Sequence, residues 1–396
     1  MTTNKNVFLF FLLILFWFNS AVAAPVTIAD IISARSASTL KEAWLSGSSS
    51  SVYTIFRGFS LVCDANTVSV FNAGTVTTAQ KPGSVNAGDL LAYACKRGTT
   101  LVVAYHSVEG GAFNAYLPHL PAGSAGVPGL VVLRRLKALD NSTCLITTGT
   151  LNLGTDNTVV PVYGSCGVVT PSSSTVTTEV TAALKPPALP TGGFSDIEYS
   201  KSTLPSASLN VSLYGLEAQI NLNEVLGVAV STNLYRALQV AQGIGLPTTG
   251  TNTADINFDP ALAPNIKSSL YTYLVATGGS DRDWSPILGN PGIGKKVTIA
   301  RRNNTSGTQA SSNVFFLKNP CASGVAGNLF PSTVLDTGPT LLVTEDSSSS
   351  KIKSRLSSAY VANEFAVGAL SLENNWRTDT DNNQYRFVKL DGVGVS

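Results

Sequence analysis

The sequence predicts a mixed α/β chain built as two lobes, on three observations. Apolar, β-branched runs of strand length alternate with periodic segments that read as helices, the pattern of layered α/β domains. The 396 residues exceed one small core and fit two lobes. No internal repeat interrupts this alternation. Charged residues make up 13% of the chain and the formal net charge is +2, so no basic stripe exists to attract nucleic acid or an acidic membrane surface.

The first segment sets the compartment. Lys5 precedes an apolar run from Val7 to Phe18, and Ala21-Val22-Ala23 follows as an A-x-A cleavage site. The run is too short for a bilayer core of roughly 30 Å. Residues 1–23 therefore read as a secretory signal peptide, with the mature chain starting at Ala24; a cut one residue later would put Pro25 directly after it. The first cysteine is Cys63, which argues against a lipid anchor at the leader. No later stretch reaches membrane-spanning length, so the mature chain is expected to be periplasmic or extracellular and not membrane-embedded.

The remaining cysteines are Cys95, Cys144, Cys166 and Cys321. None forms a CxxC and the chain has two histidines, so neither a metal site nor a cofactor is expected. Export makes disulfides the default. Local pairing of Cys63 with Cys95 and Cys144 with Cys166 is the simplest arrangement, although spacing alone leaves connectivity open.

In chain order, Val26 to Ile32 reads as a strand, Ser33 to Ser38 as a polar loop and Thr39 to Leu45 as a helix. Leu101 to Tyr105 is a second strand, followed by the glycine turn Glu109-Gly110-Gly111-Ala112, and Val131 to Leu136 is a third. Between about 142 and 193 the texture turns to Thr, Ser, Val, Gly and Pro, which reads as a β-rich insertion closed by Lys185 to Pro190. Leu226 to Val230 is a strand with a helix from Leu234. Ile266 to Val275 reads as a helix, Lys296 to Ala300 as a strand and Thr308 to Leu317 as a helix. The first lobe is then 24–226, the second 227–371, and 372–396 a return segment toward the first.

The richest stretch is Val297 to Thr308: a strand ends, a polar turn follows, and Ser306-Gly307-Thr308 opens a helix. Free amides at a helix start carry partial positive charge, and glycine lets an anion approach the backbone. Arg302 adds a forked donor. Ser36 and Ala37 form a second loop of this kind, Gly110 and Gly111 a third, and the polar end of Gly193 to Lys201 adds Ser200 and Lys201.

Taken in order, these segments resemble the type II periplasmic solute-binding proteins, specifically the phosphate-binding component of ABC transporters. Arg302 with Ser306-Gly307-Thr308 matches its Arg-x-x-x-Ser-Gly-Thr motif. Ser33 to Ala37 resembles its first ligand loop, with Ala34 in place of a glycine. Ser195 to Ser200 resembles its strand ending in Ser-Asp, Asp281 to Trp284 its tryptophan turn, and Val367 to Ser371 its late strand. The resemblance implies a non-enzymatic protein holding a phosphate-like oxyanion between lobes and handing it to an ABC transporter permease. Ser36 and Ala37 would contribute from one lobe, and Arg302, Ser306, Gly307 and Thr308 from the other. Lys201 stands where the family has a proton-accepting aspartate, which weakens the case for phosphate and suits a fully ionised anion. Ala112 replaces a serine, and the end at Ser396 leaves the first lobe short.

Two rivals follow from these departures. One is a secreted scaffold or surface-interaction protein that keeps the fold without transporting solute. The other is an exported phosphatase-like hydrolase, for which no nucleophile, base and metal set is recognisable. Gly289 to Lys295 has P-loop spacing, but Lys296 replaces the required Ser or Thr and a strand follows. His106 and His119 lack ligand spacing. Asp281 and Asp283 read as turn caps, and the sequons at Asn141 and Asn210 are common by chance.

Overall fold

The computed structural model describes residues 24–49, 52–73, 90–108, 111–120, 135–136, 144–147, 160–166, 168–169, 190–204, 210, 212, 215, 217–219, 224–244, 260–278, 282–319, 329–372, 374 and 384–394. The predicted leader, Gly110 and Cys321 lie outside them, as do Asn141, Asp281 and most of 142–193.

The chain departs from expectation at its first elements. The Thr27 hydroxyl accepts from the Asp30 amide, and the Asp30 carboxylate accepts from the Thr27 amide. This reciprocal cap starts helix α1 (Ile28–Ser36) where a strand was predicted. Ile28 and Ile31, one turn apart, are both buried, so the β-branched run serves a helix face. The predicted helix at Thr39 to Leu45 is instead strand β1 (Leu40–Gly47). It is held on both sides by parallel partners, and that ladder outweighs local propensity.

After helix α2 (Val52–Leu61) come β2 (Ser69–Asn72), β3 (Leu90–Arg97) and β4 (Thr100–Ser107). Shorter strands follow: β5 (Arg135–Leu136), β6 (Leu145–Thr147), β7 (Val162–Gly164), β8 (Val168–Val169) and β9 (Gly192–Phe194). Seven of these make one mixed sheet in the order β6-β7-β2-β3-β4-β1-β9. The described parts of the predicted insertion thus build both edges of that sheet. Disulfides Cys63–Cys95 and Cys144–Cys166 join its strands and their flanks.

The second half holds β10 (Leu226–Ser231), α3 (Thr232–Ala241), β11 (Asn265–Ile266), α4 (Ser268–Val275) and α5 (Ser285–Leu288). It continues with β12 (Val297–Arg302), α6 (Gly307–Ser312), β13 (Leu341–Asp346), α7 (Ser349–Val361), β14 (Phe365–Ser371), β15 (Tyr385–Phe387) and β16 (Lys389–Leu390). Its sheet runs β13-β12-β14-β10-β15, again with parallel and antiparallel pairs. The segment predicted to return to the first lobe stays here: β15 pairs with β10, and β16 with β11. Buried Tyr385 and Phe387 pack against Ile352 and Leu356 of α7, which fixes that course. Trp284, fully buried, donates its indole N–H to the Lys296 carbonyl at 3.0 Å. Asp283 accepts from the Ser285 and Gly294 amides, as a turn cap should. No helix among the described residues is long and apolar enough to cross a membrane.

Each sheet carries apolar side chains on both faces. In the first, Trp44, Phe71, Val103 and Tyr105 pack with α1, while Val70, Leu91, Tyr93 and Ala104 pack with α2. His106 of β4 sits opposite Leu45 and Leu91 and is 1% exposed. Neither ring nitrogen has a hydrogen-bond partner, and burial pushes the imidazole pKa down to about 4. An unfolded histidine titrates near ~6.5, so on acidification the unfolded chain takes up the proton first. The stability tied to this residue is complete above that value and is lost as pH falls toward 4, by about 3 kcal/mol in all. Urea unfolding between pH 7 and pH 4 should register the loss, and His106→Leu should flatten that part of the profile.

Candidate functional site

The C-terminal ends of the central strands bring the two halves together. At the end of β1 the Ser46 hydroxyl donates to the Asn114 carbonyl at 2.8 Å, and the Ser48 amide donates to the Phe194 carbonyl at 2.8 Å. These bonds fix the chain leaving β9, Phe194-Ser195-Asp196, beside the short turn Ala112–Ala115. From that turn the Phe113 amide donates to the Thr305 carbonyl of the other half at 3.0 Å. Phe113, Leu117, Leu120 and Tyr199 close around Ala310 of α6 as a shared apolar cluster.

Two glycines permit this approach. Gly111 has φ 93°, and a Cβ there would lie 2.6 Å from the Thr305 carbonyl oxygen. At Gly307 a Cβ would overlap Oδ1 of Asp196. Any side chain at 307 would displace that carboxylate. The acidic group therefore rests directly on the first residue of α6.

On the second half, β12 ends at Arg302 and the turn closes at Ser306, whose hydroxyl accepts from the Gln309 amide at 3.4 Å. Ser306, Gly307 and Thr308 are all buried. Arg302 is 4% exposed. Its Nη1 donates to the Ser349 hydroxyl at 2.9 Å and its Nη2 to the Ser347 carbonyl at 3.0 Å, while Nε has no partner. Burial draws its pKa down to about 10, and Asp196, Glu224 and Asp346 hold it up, so the guanidinium stays charged near neutrality. Ser347 and Ser349 flank the start of α7, where the Ser348 hydroxyl accepts from the Lys351 amide. The set combines a buried cation with hydroxyl and amide donors, groups that hold an oxyanion, and one facing carboxylate, which repels an anion unless that anion carries a proton to donate.

Of the residues singled out from sequence, Gly111, Arg302, Ser306, Gly307 and Thr308 gather here. Ser36 and Ala37 do not. They end α1 at the opposite end of β1, whose eight residues span about 26 Å. A helix C-terminus there presents carbonyls and partial negative charge, the wrong sign for an anion. Ser200 and Lys201 lie in the turn Tyr199–Lys201, Ser200 exposed and Lys201 half-buried. The carboxylate facing the second half is that of Asp196. Arg302 is turned inward to α7 rather than standing at a cleft edge, and its removal would strip a buried network.

Asp196, Ser48, Ser347 and Ser349 carry parts of this site that sequence patterning did not assign. A signal existed for three of them. Ser48 to Ser51 and Ser347 to Ser350 are serine runs directly between a strand and a helix. No protein-family model, curated protein or solved structure matches the chain.

Gly307→Ala should cost about 1–3 kcal/mol through the clash with Asp196. Adding Asp196→Ala should return most of it, because the two changes touch one contact. Thermal unfolding of the two single variants and the double variant measures the coupling; additive effects would mean the contact is absent.

Proposed function

We propose that the chain is an exported, non-enzymatic protein that holds a small protonated oxyanion, phosphate in the first instance, between its halves. The reading takes the fold as a two-lobed relative in architecture of type II solute-binding proteins, with a membrane transporter as recipient. One observation carries it. Gly111, Asp196 and the Ser306-Gly307-Thr308 turn converge from separate halves on one point, with the charged Arg302 buried behind them. The two disulfides support an oxidising compartment.

Asp196 sharpens the choice of anion. An ionised carboxylate only accepts hydrogen bonds, so a ligand beside it needs a proton to donate. Hydrogen phosphate has one at neutral pH. Sulfate has none and would set acceptor against acceptor. This replaces the preference for a fully ionised anion that Lys201 suggested.

The scaffold reading keeps one specific support: the halves already touch through the Phe113–Thr305 hydrogen bond and the cluster around Ala310. Calorimetry on the mature chain with phosphate, sulfate and acetate separates the two. Wild type should bind phosphate over sulfate. Asp196→Asn, whose amide can donate, should weaken phosphate by about 10- to 150-fold, the value of a charged hydrogen bond, and strengthen sulfate. If no anion binds the folded wild type at millimolar concentration, solute binding fails and the scaffold reading replaces it.

A further inference from the structure

Away from the anion site, the first sheet carries an apolar groove of about 420 Å³ beneath α2. Leu45, Ile55, Phe59, Val62, Val102 and Phe194 form its walls. The volume lies in the lower part of the range for small-molecule sites. Gly58, in the middle of α2, lines the groove. A Cβ built there meets no atom within 4 Å, although glycine inside a helix costs stability that alanine would recover. Val62, at 57% exposure, brings apolar surface out toward solvent.

Polar side chains are scarce in the lining. Thr54 is one and Arg97 the other, and Arg97 is the only charged residue among them. Arg97 is exposed at the end of β3, and its guanidinium has no side-chain partner among the described residues. An apolar interior with one unopposed cation at its rim complements a molecule with an apolar tail and one terminal negative charge. A peptide helix would be too wide for this volume, and a neutral hydrocarbon would leave the arginine unused.

We propose that this groove binds a free medium-chain fatty acid, its acyl chain under α2 between Leu45, Phe59 and Phe194 and its carboxylate at Arg97. The groove touches the chain that carries Asp196 through Phe194, but its assignment does not rest on the oxyanion reading.

Calorimetry on the mature chain with octanoate, decanoate and 1-decanol, each below its micelle concentration, tests the assignment. Decanoate should bind, and octanoate roughly tenfold more weakly, since it buries two fewer methylenes. Arg97→Gln should weaken decanoate by about fivefold and leave decanol unchanged. Gly58→Leu should fill the groove and abolish binding of both while thermal unfolding shows an intact fold. Gly58→Ala, compatible with any helix, should weaken both in part. No decanoate binding to wild type, or wild-type affinity in folded Gly58→Leu, would overturn the proposal. Equal response of decanoate and decanol to Arg97→Gln would overturn the role given to the arginine.

Discussion

A guanidinium buried at the end of a central strand is the constraint around which the second half is arranged. Arg302 is almost wholly removed from water, and taking a charge out of water costs several kcal/mol unless fixed partners replace it. The chain supplies those partners from three places: Ser347 and Ser349 at the start of α7, Asp346 at the end of β13, and Asp196 and Glu224 by their field. Asp196 comes from the first half. The same carboxylate lies on Gly307, so the charge balance of Arg302 and the meeting of the halves are one problem with one solution.

Much of the second half was legible because its segments have one reading each. Leu226 to Val230, Lys296 to Ala300 and the Ser-Gly-Thr helix start all formed as read, since strand ends, hydroxyl caps and glycine act locally. The first elements were not legible for the opposite reason. Val26 to Ile32 has strand-like residues, but Thr27 and Asp30 close a reciprocal cap that only the helical backbone allows. Thr39 to Leu45 has helix-forming residues, but β4 and β9 offer it a parallel ladder that no local pattern reveals. That exchange moved Ser36 and Ala37 to the wrong end of β1. The placement of Asp196 depended on knowing where β9 stops and which half it faces, and both are properties of the packed sheet.

The two halves use polar groups differently. In the second, the buried Arg302 is met by the Ser349 hydroxyl, the Ser347 carbonyl and the field of nearby carboxylates. The first sheet keeps an unmatched histidine in its core and an open groove under α2, with one cation at the rim. His106 pairs with Leu45 of β1, one residue before Ser46. The first half thus combines a shaped polar edge with a loosely filled apolar face.

Amide hydrogen exchange of the mature chain, with and without saturating phosphate, addresses the central claim most directly. If the convergence of Gly111, Asp196 and α6 is the oxyanion site, phosphate should slow exchange at Gly307, Thr308 and Gly111, because their amides lie where the halves meet. Unchanged exchange at all three positions, with phosphate bound and protection appearing elsewhere, would contradict it.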